Sequence, residues 1–222
     1  MTQSLTNNQQ KASLGQYLFR PFELVAGGRS LIYGLIVLLL TGGLASLANV
    51  RFDGVMDLHM PLDANTTTSV FFLEQLINWL SLSGMLLIFG FLFAKSFRVV
   101  DLLGTQALAR APMLVTAFLS VILPISDVNR YIAGKVNQLI GQELLDVGAV
   151  EQVSTFEIVL FGVFMLIALF MLIWMIYLMY RSFSISCNIS GPKAVLLFIF
   201  GLLAAEAISK LVLFYLIPES MT

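Results

Sequence analysis

The chain has 222 residues, 59% of them apolar and only 11% charged, with a mean hydropathy of +0.92. Soluble domains run closer to 45–50% apolar and about 25% charged, so the composition excludes a water-soluble globule and describes an integral membrane protein. A formal net charge of −1 offers no basic field to nucleic acid, and 24.5 kDa without a long polar block leaves no room for a separate soluble catalytic domain.

The first 29 residues are a polar leader containing Lys11, Arg20 and Arg29. Within it "QYLFRPFELV" (16–25) mixes aromatic and apolar residues with Arg20 and Glu23, which predicts a short helix at the cytoplasmic headgroups before the chain turns inward at Gly27-Gly28. Five continuous apolar stretches follow, at about 30–49, 70–94, 102–125, 157–180 and 192–217. Each meets the roughly 20 residues a helix needs to cross a hydrocarbon core, and their continuity predicts helices rather than the alternating strands of a barrel. The first run is too long and starts too late for a cleaved signal peptide. No repeat or linker divides residues 30–222, so one membrane domain is expected. The fold class is all-α: a polytopic bundle of five transmembrane helices.

Between the first two spans lies "RFDGVMDLHMPLDAN", in which Asp53, Asp57, His59 and Asp63 fall within eleven residues. Three carboxylates and an imidazole so placed could hold a hard or borderline cation, although an outward loop is expected to be acidic in any case. The second span carries Glu74, with Asn78 and Ser81 continuing a polar stripe, and the third carries Arg110 between Pro112 and the cytoplasmic end. After the third span, Val128, Ile132, Val136 and Leu139/Ile140 recur at i,i+4 spacing opposite Asn129, Arg130, Lys135 and Gln138. That pattern predicts an amphipathic helix on the outer surface. The fourth span, "LFGVFMLIALFMLIWMIYLMY", has no charge and is bulky all round, as a lipid-exposed helix would be. The fifth carries Glu206 and Lys210 at i,i+4.

Charge sets the orientation. With the N-terminus inside, the cytoplasmic segments hold seven cations (Lys11, Arg20, Arg29, Lys95, Arg98, Arg181, Lys193), while the other side holds three (Arg51, Arg130, Lys135). The bias favours a cytoplasmic N-terminus and an outer C-terminus in a cell membrane.

The ionisable residues inside the spans are Glu74, Arg110, Glu206 and Lys210. A lone charge at a helix centre costs roughly 2.5–3.5 kcal/mol on insertion scales, so such residues face the bundle interior and find partners. The expected arrangement shares Glu206 between Lys210 and Arg110, with Glu74 and Asn78 facing Lys210. Small residues at Gly201, Ala205 and Ser209, and at Gly42, Ser46 and Ala45, Asn49, repeat every four positions and predict close helix approach.

Walker-type, HExxH and GxSxG motifs are missing from the sequence. The single histidine and the single cysteine, Cys187, fall on opposite sides of the membrane in this topology, which removes a Cys-His nucleophile pair. No catalytic residue and no cofactor are expected. The stretches "FRPFELVAGGRSLIYGL", "FDGVMDLH", "FFLEQLINWL" and "DLLGTQALARAP" resemble the Yip family of Ypt/Rab-interacting membrane proteins, in its prokaryotic branch. The resemblance covers much of Phe19–Pro112, with the second half similar by span pattern. The "DLYGP"- and "GY…FG"-type patterns of the eukaryotic members are missing apart from an echo in Asp101-Leu102-Leu103-Gly104, so Rab binding does not carry over. What the resemblance implies is a five-span bundle, contacts with its own kind or with other membrane proteins, and a non-enzymatic role in membrane organisation. Beside this scaffold reading stands a second: a small transporter or channel in which Glu74, Glu206 and Lys210 line a path, with Pro112 and Pro124 breaking the third span.

Overall fold

A computed structural model describes residues 13–58, 66–123, 125–139 and 153–217 of the chain. Among the described residues every regular element is helical. Five helical stretches are long and apolar enough to cross a membrane, namely Gly27–Ala48, Thr68–Phe93, Val99–Ile122, Thr155–Ser186 and Gly191–Leu216. The chain is therefore all-helical and consistent with a multi-pass membrane protein.

Helix α1 (Leu14–Phe19) opens with a reciprocal cap, in which the Ser13 hydroxyl takes the Gln16 N–H and the Gln16 side chain takes the Ser13 N–H. A single 3-10 turn at Pro21–Glu23 follows. Tyr17 and Leu18 stay exposed while Phe22 is buried, as in a segment that lies along the bundle. α2 (Gly27–Ala48) begins at Gly27 itself, whose φ of +66° is accessible to glycine at little cost. It ends at Asn49, a left-handed cap (φ 49°) after which the Val50 N–H returns to the Ala45 carbonyl. This cap turns the chain back over the bundle.

α3 (Thr68–Phe93) buries Phe71, Glu74, Gln75, Asn78, Trp79, Leu82, Ser83 and Leu86, a continuous face three and four residues apart. The third span is two helices, α4 (Val99–Leu108) and α5 (Ala111–Ile122), interrupted at Ala109-Arg110. Pro112 has no N–H to offer the Leu108 carbonyl, which explains the interruption. α6 (Ile125–Leu139) is the amphipathic segment, with Ile125 and Val128 buried and Ile132 and Val136 exposed. α7 (Thr155–Ser186) is capped by Ser154 and Glu157 and is the least buried of the five, while the third span is the most buried. α8 (Gly191–Leu216) begins after a turn through Asn188 and Gly191.

α2 packs on α4, α5 and α3; α3 on α8; and α7 on α5 and α4. Close approach decides the first of these contacts. A Cβ on Gly34 would stand 2.7 Å from the Leu108 backbone nitrogen, and one on Gly104 would stand 2.6 Å from that of Leu31. Both obstacles are backbone, so these glycines let the two helix axes come together. On the α3–α8 seam, Gly201 faces Leu86 and Phe89, and on the α2–α3 seam Gly42 faces Phe72. Hydroxyls tie α4 to α7: Thr105 Oγ1 lies 2.6 Å from Ser182 Oγ and 3.0 Å from Ser186 Oγ, and Gln106 Nε2 donates to the Met179 carbonyl at 2.9 Å. The N-terminal segment is strapped to α7 by Trp174 Nε1 donating to the Leu18 carbonyl and by an Arg181–Glu23 pair at 2.9 Å.

Candidate functional site: a loop held inside the bundle by buried charge

The chain after α2 does not spread over the surface. Val50, Phe52 and Val55 are 1–2% exposed, and Phe52 and Val55 join the main apolar core beside Phe71, Leu82, Leu86, Leu202 and Ala205. An irregular backbone at such a place needs partners for its N–H and C=O groups, and acids and amides of α3 and α8 provide them. Glu74, fully buried on α3, accepts from Arg51 Nε at 2.6 Å and from the Phe52 N–H at 3.0 Å. Asn78, one turn along the same face, donates from Nδ2 to the Phe52 carbonyl at 2.5 Å. From α8, Glu206 accepts from the Met56 N–H at 2.9 Å. Lys210 donates to Asp57 Oδ2 at 2.6 Å and lies 3.3 Å from Glu206 Oε1. Gly54 makes this fit possible: a Cβ there would collide with the Glu206 carboxylate and stand 3.0 Å from Lys210 Cε.

This pairing differs from the sequence expectation in two respects. Glu74 and Asn78 do not face Lys210; both are engaged by the loop, Glu74 through Arg51 and Phe52 and Asn78 through Phe52. The physical reason is reach: the Asn49 cap folds residues 50–57 back between α3 and α8, so the loop supplies counter-charge that helix geometry alone would have sought across the bundle. The Glu206–Lys210 contact is present at i,i+4. Glu206 is not shared with Arg110, which makes no ion pair within 4.0 Å among the described residues.

Among the described residues Arg110 is the largest fully buried side chain, 1% exposed, and its Nε and Nη1 have no hydrogen-bond partner there. It occupies the interruption between α4 and α5, eleven residues past Val99, hence about 16 Å along the span at 1.5 Å per residue. Gln106 lies one turn before it on the same helical face, with Nε2 bound to Met179 and Oε1 unpartnered. Both amide atoms of Gln75 and the Oδ1 of Asn78 and of Asp53 are also unpartnered.

The acidic segment considered for a cation is divided. Asp57 is committed to Lys210, Asp53 adjoins the Glu74 site, and His59 and Asp63 lie outside the described residues. Among the described residues, no group of three His, Cys, Asp or Glu side chains is placed to hold a metal ion. The parts that sequence reading did not assign are Arg51 as a partner of Glu74, Gly54 as the close-approach residue, Gln75 and Gln106 as buried amides, and the backbone donors at Phe52 and Met56. Their signal lay in "RFDGVMDL", where Phe52 and Val55 flank an Asp-Gly step and are more apolar than a solvated turn requires. No family model, curated protein or solved structure matches this chain.

Proposed function

We propose that this protein is a non-enzymatic membrane scaffold or adaptor of the Yip-like type, acting by association with its own kind or with other proteins of a bacterial inner membrane. Its N-terminus is cytoplasmic and its C-terminus outside, a topology that five spans and the Lys/Arg bias support together. The observation that carries this reading is the employment of the intramembrane acids. Glu74 and Glu206 bind loop backbone, Arg51 and Lys210, which is what fixing a shape demands and not what a solute path demands. Helices joined through Gly34, Gly104 and Gly201 add to it, since close packing of small residues builds rigid bundles. The exposed apolar length of α7 and the α1 segment strapped to it supply surface for lipid and for neighbouring chains.

The transport reading is favoured by a different observation, the interrupted third span with unpartnered Arg110 beside it. One experiment separates them. Purified protein reconstituted into liposomes loaded with a pH-sensitive dye should leak protons and small ions no faster than empty liposomes, while gentle solubilisation and cross-linking from native membranes should recover it with itself or other membrane proteins. Saturable flux abolished by Glu206→Gln, with no recovered partner, would replace the scaffold by a transporter.

A further inference from the structure

The loop that follows α2 has two limbs, and they are held by different means. Arg51 and Phe52 form the inner limb, sealed against α3. The Glu74 and Arg51 side chains are 0% and 13% exposed, and Glu74 and Asn78 meet the Phe52 N–H and carbonyl. Asn78 lies ten residues past Thr68, so this limb is seated about 15 Å along α3. Met56 and Asp57 form the outer limb, tied to α8 by the Met56 N–H on Glu206 and by Asp57 on Lys210. Here the side chains are more open: Glu206 is 17% exposed, Asp57 44% and Lys210 49%. Lys210 stands six residues before Leu216, about 9 Å from that end of α8, a distance over which a lysine side chain reaches towards water. Ion pairs screened in this way contribute little, whereas parting a sealed pair strands a buried charge. The apolar hold differs in the same sense, Phe52 being larger than Val55.

The outer limb also fills a particular place. Near the Thr155 end of α7, Phe164 and Ala168 pack with Ile125 of α6; near the Leu216 end of α8, Leu213 and Ile217 pack with Val70 of α3. The two helices come together instead towards their connecting turn, where the Tyr180 and Phe198 rings are 5.6 Å apart. Between the separated ends runs the loop. Val55 sits in the core that holds Leu202 and Ala205 of α8, and Leu58 packs on both that core and the Phe164–Ala168 cluster. We propose that Val55–Leu58 is a releasable latch between α7 and α8: it lets go of Glu206 and Lys210 and swings outward in brief local openings, while Arg51 and Phe52 stay seated on Glu74 and Asn78. Gly54 separates the moving limb from the fixed one. Opening parts the apolar bridge at Leu58 and bares the Glu206 carboxylate towards the outer side. The closed form predominates, and its opening is a local event of the kind that native proteins undergo at well below the cost of unfolding.

Hydrogen exchange of the full chain in lipid nanodiscs, followed by NMR, tests this at two amides. Arg-Phe and Val-Met each occur once in the sequence. Carbonyl-13C arginine with 15N-phenylalanine therefore isolates the Phe52 N–H, and carbonyl-13C valine with 15N-methionine isolates that of Met56. The expected result after transfer to D2O is a lower protection factor at Met56 than at Phe52. Lys210→Gln should lower protection at Met56 by about fivefold, the most that an ion pair this open provides, and leave Phe52 unchanged. If Lys210→Gln fails to fold, Asp57→Asn breaks the same pair from the loop side and should act alike. Protection at Met56 equal to or above that at Phe52, or a substitution that speeds both amides alike or neither, would show that the loop is one rigid unit and overturn the latch.

Discussion

Replacing Glu74 by Leu tests how the loop is held. In the native protein its carboxylate meets Arg51 Nε at 2.6 Å and the Phe52 N–H at 3.0 Å, with Glu74 fully buried and the Arg51 side chain 13% exposed. Removing one member of a buried pair strands the other and costs about 3–5 kcal/mol. Glu74→Leu and Arg51→Leu should each lose that much. The double variant removes both charges and leaves chiefly the Phe52 N–H unmet, a cost of about 1–3 kcal/mol. The two losses are therefore strongly non-additive, with a coupling of roughly 6 kcal/mol. Reversible unfolding in mixed micelles, titrated with SDS, measures all four proteins. Single variants within about 1 kcal/mol of wild type, or losses that simply add, would show that the pair does not hold the loop.

Gly54→Ala should cost about 1–3 kcal/mol through overpacking against Glu206 and Lys210, read in the same titration, whereas Gly43→Ala, with open space around it, should be silent. Gly34→Leu should prevent assembly of the α2–α4 contact altogether, seen as loss of the folded species in detergent chromatography, because the obstruction is backbone of α4. Burial pushes the Cys187 thiol up to about 12 from an ordinary value of 9.0, so the folded protein should resist maleimide at pH 8 and react once unfolded. The sign of the linked pH effect follows: the unfolded thiol loses its proton first, so this contribution to stability is intact below pH 9.0 and is lost as pH rises towards about 12. Arg181→Ala, which breaks a partly exposed pair with Glu23, should change stability by less than about 1 kcal/mol.

The five helices were legible because twenty-residue apolar runs have few other uses, and the interruption at Pro112 follows from a missing N–H. The α2 boundary was legible at Gly27-Gly28, and the fourth span's exposure followed from its uniform bulk. What one sequence did not disclose was the path of residues 50–57. Their fate depends on the left-handed turn at Asn49 and on two helices far away in the chain, so no local periodicity records it. Arg51 read as a loop cation and Asp57 as a loose acid, because charge counting assigns a side of the membrane and not a partner. Gly34 and Gly104 escaped for a similar reason: each is isolated in its own helix, and their meaning appears only when α2 and α4 are brought together.

Cysteine accessibility along the loop is the most direct measurement of whether it re-enters the bundle. Single cysteines at Val50, Phe52, Val55 and, as a reference, exposed Thr67 would be treated from the outer face with a membrane-impermeant thiol reagent, buried Cys187 remaining silent. The loop held by Glu74 and Glu206 predicts rapid labelling at 67 and protection at 50, 52 and 55. Equal labelling at all four positions in a folded protein would contradict it.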